Sequence, residues 1–195
     1  MLEGVAYCLG AYLLGSFPTG LVVGRARGVD VRTVGSGNIG ATNVARALGK
    51  GWATLVLAFD ALKGFLPVWS APRLLPQHGP MLVALAGLAT IVGHMFTVFL
   101  RGRGGKGVAT SLGVSLGLSA PIGLACLGIY AAAYGLTRLS SLGSLLGIWA
   151  FPVIATIHGG VDRHFIGLSI AVAILVTIRH RQNIRNLLRG DENKA

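Results

Sequence analysis

Met81 to Leu100 reads M-L-V-A-L-A-G-L-A-T-I-V-G-H-M-F-T-V-F-L, twenty residues without one Asp, Glu, Lys or Arg. A helix rises ~1.5 Å per residue and a bilayer's hydrocarbon core is ~30 Å thick, so this stretch is read as a transmembrane helix. Val5–Val23, Trp52–Trp69, Leu142–Ile157 and Phe165–Ile178 are further apolar runs of spanning character. Val108 to Leu136 is too long for one straight span and short for two, and Ser119-Ala120-Pro121 is its natural break into two short helices. Gly15-Ser16-Phe17-Pro18 should bend the first run, and Pro72 to Pro80 reads as a connector. The expected fold is an all-α polytopic integral membrane protein of about seven transmembrane helices, some short, in a single domain 1–195. The count falls to five if the short or polar segments fail to cross.

Composition agrees. The chain is 53% hydrophobic and 12% charged, whereas soluble domains carry ~25% charged residues. Its 30 glycines suit close helix contacts in lipid, with Gly20/Gly24, Gly113/Gly117 and Gly143/Gly147 as G-x-x-x-G pairs. A net charge of +11 could point to nucleic acid, but in so apolar a chain it reports orientation instead. With the N-terminus outside, the inner face collects Arg25 to Lys50, Arg101 to Lys106, Arg138 and the tail. Only Arg73 and Arg163 remain on outer loops, and Lys63 lies within a span. The orientation expected is N-out, C-in, with every polar cluster on the cytoplasmic side. Cys8 and Cys126 sit in apolar runs without metal-ligand spacing and read as buried packing residues. No cleavable leader is expected, since Glu3 and no basic segment precede the first run.

Against this background Gly35 to Arg46, G-S-G-N-I-G-A-T-N-V-A-R, is unlike its surroundings. Glycines leave backbone N–H groups accessible, Ser36 and Thr42 offer hydroxyls, Asn38 and Asn43 offer amides, and Arg46 offers a planar fork for phosphate oxygens. A segment so rich in donors and empty of carboxylates suits an anion, although a polar turn between helices would look similar. Arg101 to Thr110, R-G-R-G-G-K-G-V-A-T, is not a P-loop, because Gly107 stands where Ser or Thr would follow the Lys. Lys106 at a helix start still favours an anion.

Asp60 and Lys63 stand three apart in the second span, an ion pair whose role is as readily structural as catalytic. His180 and Asn183 are three apart where the last span ends, and they would project together; His is the usual proton carrier near neutrality. His94 is a weaker candidate, and His78, His158 and His164 fall on the outer side. No Glu/His ligand cluster, no carboxylate pair suited to glycosidase chemistry and no H-x4-D is present, and no metal or cofactor is expected.

Three stretches together carry a resemblance: G-S-G-N-I-G-A-T-N-V-A-R, G-G-K-G-V-A-T and R-H-R-Q-N-I-R-N-L-L-R-G-D-E. They resemble the signature motifs of the bacterial acyl-phosphate:glycerol-3-phosphate acyltransferases, the PlsY family, in order and over the whole chain. One departure is Asn186, where family members usually have a basic residue. The resemblance implies acyl transfer from acyl phosphate to the 1-hydroxyl of glycerol 3-phosphate in the bacterial cytoplasmic membrane. Lysophosphatidic acid and phosphate would be the products, the first step of phospholipid synthesis. It implies that Ser36, Arg46 and Lys106 hold phosphate and stabilise charge in the transition state, and that Asn38, Asn43 and Asn183 orient the glycerol. His180 would position or deprotonate the attacking hydroxyl, with Thr42 and the backbone of Gly37, Gly40, Ala41, Gly105 and Gly107 completing the binding surface. The acyl chain would lie in a groove open to lipid. The partners implied are the two small substrates and membrane lipid, with no nucleic acid. The rival reading, a transporter for a phosphorylated solute, would place polar groups near the midplane on repeated halves, and no internal repeat is visible.

Overall fold

The computed structural model describes residues 1–193, and every regular element among them is a helix. The first run is broken into α1 (Leu2–Ser16) and α2 (Thr19–Ala26) at Phe17-Pro18, where proline's missing N–H ends the ladder. The loop that follows leads into α3 (Ala41–Leu48) and the long α4 (Lys50–Leu74). α5 (Gly79–Met95) is next, then α6 (Val108–Leu118), α7 (Ala120–Thr137) and α8 (Ser140–Ile157). α9 (Arg163–Arg179) and α10 (Arg181–Arg189) meet at an angle of 63°.

Five helical segments among the described residues are long and apolar enough to cross a membrane, or six if the α9–α10 pair counts as one span. The remaining apolar helix, α6, has 11 residues, roughly half the length a bilayer core needs. The breaks at Pro18 and Ser119 fall where the sequence places them. Pro72 does not start a connector, because it lies inside α4, and α5 ends at Met95 rather than running on to Leu100. Cys126 is buried as expected, whereas Cys8 is half-exposed.

The core joins the middles of the helices: Val68, Ile91, Met95, Val114, Ile148, Val172 and Val176 form one buried cluster. Leu13, Phe59, Leu85, Leu124, Trp149 and Ile174 are exposed on helix surfaces, the apolar exterior that a lipid solvent favours. α4 and α6 cross through glycine. A methyl on Gly64 would strike the Thr110 carbonyl, and one on Gly113 the Ala61 carbonyl. Gly143 and Gly147 likewise lie against Tyr130 and Cys126 of α7. Gly20 and Gly24 differ from expectation, since they admit the carbonyls of Ile39 and Val29 from the following loop rather than another span. That close approach seats the first polar loop on α2, with Leu21, Val31, Ile39, Val44 and Val56 as its own small core.

Asp60 and Lys63 form an ion pair at 2.8 Å and are 2% and 5% exposed. Lys63 Nζ also donates to the Phe17 carbonyl at 2.9 Å, and Thr19 Oγ1 donates to Asp60 at 3.0 Å. The pair therefore satisfies polar groups exposed by the α1–α2 break, which is a structural role.

Candidate active site

Among the α-helices of the described residues only α9 has a capping side chain, and α3 after Gly40, α6 after Gly107 and α8 after Leu139 open without one. Their first residues, Ala41, Val108 and Ser140, all line one cavity of about 190 Å³. Unsatisfied N–H groups and three helix dipoles thus converge on one space, an arrangement that favours negative charge. Arg46, Lys106, His180 and Asn183 line the same cavity, as do Ser36, Asn38, Gly40, Thr42, Asn43 and Gly107. Helical placement explains the grouping. Arg46 stands on α3, Lys106 just before α6, His180 at the α9–α10 bend and Asn183 on the first turn of α10.

Two expected residues do not reach the cavity lining. Gly37 forms the loop's own turn, with φ 67° and its N–H bonded to the Val34 carbonyl at 3.0 Å. Gly105 donates to the His94 carbonyl at 3.0 Å, and a methyl there would enter the His94 ring. Its need for glycine is steric. Asn43 lines the cavity, yet both ends of its amide are used by the loop: Nδ2 donates to the Val31 carbonyl at 2.7 Å, and Oδ1 accepts from Ser36 N–H at 2.9 Å. Asn43 therefore fixes the backbone that presents Ser36.

Arg179, Tyr130, Ser140 and Glu192 were not singled out from sequence, and each contacts a residue or loop of the site. Arg179 donates to the carbonyls of Gly104 and Gly105, at 2.8 and 3.2 Å, and so pins the second polar loop to the end of α9. Thr42 Oγ1 and Tyr130 OH both share hydrogen bonds with Ser140 Oγ, at 3.1 and 3.2 Å. Asn183 bridges opposite charges: its Oδ1 accepts from Lys106 Nζ at 2.5 Å and its Nδ2 donates to Glu192 at 2.7 Å. Arg46 donates to the Asn193 carbonyl at 3.3 Å. Asp60 and His94 also line the cavity, with His94 Nδ1 3.8 Å from Asp60.

The electrostatics suit an anion that arrives from outside. Burial pushes the Lys106 ammonium below its ordinary pKa; Glu192 opposes that shift, while Arg46 and Arg179 reinforce it. His180, just beyond the last residue of α9, has its pKa pushed down to about 4, mainly by burial. Its Nδ1 lies 2.8 Å from the Val176 carbonyl, which can only accept, so Nδ1 carries the proton. The neutral ring then offers Nε2 as an acceptor. Below the polar end the lining turns apolar, through Leu112, Leu127, Ile148 and Phe151.

Residues 5–190 match the sequence profile of the glycerol-3-phosphate acyltransferases. A glycerol-3-phosphate acyltransferase of Anaeromyxobacter sp. (strain K) is 50% identical over 200 residues, covering 100% of this chain and 98% of the relative. The counterpart from Geobacter sulfurreducens is 43% identical over 196 residues, again covering 100% and 98%. The crystal structure of PlsY (YgiH), an integral membrane glycerol 3-phosphate acyltransferase, in its glycerol 3-phosphate form superposes with a TM-score of 0.94 at 37% identity. That match covers 99% of this chain and 96% of the other. The lysophosphatidic acid form of PlsY matches with a TM-score of 0.92 at 36% identity, covering 98% and 95%. A cavity built for anions, an apolar lining beneath it and sequence similarity along the full length lead to one assignment: the chain belongs to the glycerol-3-phosphate acyltransferase family.

Proposed function

We propose that this membrane enzyme transfers a fatty acyl group from acyl phosphate to the 1-hydroxyl of glycerol 3-phosphate, releasing lysophosphatidic acid and inorganic phosphate. The observation that carries the reading is the meeting of three uncapped helix N-termini with Arg46 and Lys106 in a cavity whose inner lining is apolar. Both substrates carry phosphate, and the donor adds an alkyl chain. Charged donors and helix ends hold the phosphates, and the lining of Ile148 and Phe151 takes the chain.

The hydroxyl oxygen of glycerol 3-phosphate attacks the carbonyl carbon, the bond from that carbon to the bridging phosphate oxygen breaks, and the hydroxyl proton leaves with the phosphate. Neutral His180, its tautomer set by Val176, accepts from the hydroxyl and orients it. Its low pKa makes it a weak base, so the departing phosphate is the better proton acceptor. Acyl phosphate is an activated anhydride, and proximity of the bound reactants is worth ~7–11 kcal/mol. Arg46 and Lys106 stabilise charge as it moves onto the leaving group. Ser36, Asn38 and Thr42 complete the polar binding surface.

The chain crosses the bacterial cytoplasmic membrane seven times, N-terminus out and C-terminus in, with short α6 as one of the seven. The charge asymmetry of the loops supports this orientation, as does the meeting of all three basic segments at one cavity. The test is purified protein in lipid vesicles with glycerol 3-phosphate and either acyl phosphate or acyl-CoA. Turnover with acyl phosphate alone, unaffected by EDTA, is expected; comparable rates with acyl-CoA contradict the donor assignment.

A further inference from the structure

Among the described residues, five buried side-chain polar atoms have no hydrogen-bond partner, and three of these residues, His94, Ser111 and Ser141, line the catalytic cavity. His94 faces Asp60 across 3.8 Å. The Ser111 and Ser141 hydroxyls face no charge partner of that kind, although the residues are only 1% and 6% exposed. The Thr110 hydroxyl is also without a partner but lies outside the cavity lining, whereas the other serine hydroxyls of α6 and α8 that line the cavity are engaged. Ser115 donates to Leu112, Ser144 donates to Ser140, and Ser140 Oγ is shared with Thr42 and Tyr130. A buried donor without a partner destabilises a fold, and such groups are rare unless a ligand or water completes them.

Their placement selects the ligand. On α6, Lys106 precedes the helix, Ser111 stands on its first turn, and Leu112 follows. On α8, Ser141 lies in the first turn, and Ile148 and Phe151 lie two to three turns deeper. Along α6 the order is charge, then neutral hydroxyl, then apolar wall, and along α8 it is neutral hydroxyl, then apolar wall. Phosphate, then carbonyl, then alkyl chain is the order along an acyl phosphate. We infer that Ser111 and Ser141 form a neutral two-donor subsite for the carbonyl oxygen of the acyl donor and for the oxyanion that grows on it. The inference rests on the donor proposed above. As the glycerol hydroxyl attacks, the carbonyl electron pair moves onto this oxygen, and it returns when the carbon–oxygen bond to phosphate breaks. Neutral donors suit a transient charge, because they stabilise it without binding the departing phosphate. A free phosphate seeks Arg46 and Lys106 instead.

Purified Ser111→Ala, Ser141→Ala and the double variant in lipid vesicles test the subsite by phosphate release from acyl phosphate and by thermal unfolding. The double variant should lose ~100-fold in kcat, keep its KM for glycerol 3-phosphate within about twofold, and unfold at the same or a higher temperature. The unfolding result separates this role from a structural one, because removing an unpartnered hydroxyl relieves the free enzyme. Unchanged kcat in the double variant overturns the inference, as does a fall in unfolding temperature that tracks the lost activity. Wild-type protein that releases no phosphate from acyl phosphate overturns the donor reading and this inference with it. Normal wild-type turnover with silent variants overturns this inference alone.

Discussion

Lys106 and Asn183, on different sides of the bundle's polar end, meet at 2.5 Å through Nζ and Oδ1. The other end of the same amide donates to Glu192, so the tail carboxylate orients Asn183 and sets the field around Lys106 at once. The proposed phosphate-holding role requires Lys106 as the ammonium, which burial disfavours and Glu192 favours. Activity should therefore fall as pH rises through the lowered Lys106 pKa. Glu192→Gln removes the carboxylate but keeps an acceptor for Asn183, and should move that alkaline limb to lower pH. A limb that stays in place in Glu192→Gln argues against Lys106 as its source.

His180 gives the opposite pH signature. With its pKa near 4, the ring is neutral across the physiological range, so rates controlled by this group should be flat between about pH 6 and 8. His180→Ala should lower kcat equally across that range, and His180→Asn should recover part of the loss by orienting the hydroxyl. A defect that shrinks steadily with rising pH would instead identify His180 as the base.

The buried Asp60–Lys63 pair should matter more for folding than for chemistry. Removing one partner leaves an uncompensated buried charge, which typically costs ~3–5 kcal/mol. Asp60→Ala should lower the unfolding temperature markedly in detergent, and Lys63→Met should do so too. Asp60→Asn combined with Lys63→Met should restore much of it, because no lone charge remains. Equal destabilisation in the double and single variants would show that the pair is not a coupled unit.

Much of this architecture can be read from the chain. Apolar runs mark the spans, and Pro18 and Ser119-Ala120-Pro121 mark the breaks, because proline and small polar residues act locally. Eleven of the thirteen expected site residues line the cavity; Gly37 and Gly105 serve the backbone behind it. What could not be read depends on contacts distant in sequence. Ser111 and Ser141 look like packing hydroxyls in apolar helices until α6 and α8 are brought to one cavity. Glu192 reads as a solvated tail residue until α10 returns it to Asn183. Gly20 and Gly24 fit the pattern of a helix-to-helix contact, and only the path of the following loop shows which backbone approaches them.

Orientation can be checked by labelling. In a Cys8→Ser, Cys126→Ser background, cysteines at exposed Arg27, Arg103 and Asn193 should react only with reagent on the cytoplasmic side, and one at Gln77 only from outside. Outside labelling of Arg27→Cys, Arg103→Cys or Asn193→Cys in intact cells is incompatible with an N-out, C-in chain.

The central claim is that Arg46 and Lys106, at the meeting of three helix N-termini, hold the reacting phosphates. Its most direct test is the steady-state rate of phosphate release by Arg46→Ala and Lys106→Ala in lipid vesicles, alongside their unfolding temperatures. A lost charge-assisted hydrogen bond is worth ~1.5–3 kcal/mol, or roughly 10- to 200-fold. Each variant should lose at least that factor while unfolding near the wild-type temperature, and Arg46→Lys should recover only part, because an ammonium cannot reproduce a bidentate fork. Near-normal kcat/KM for both substrates in both alanine variants would contradict the account.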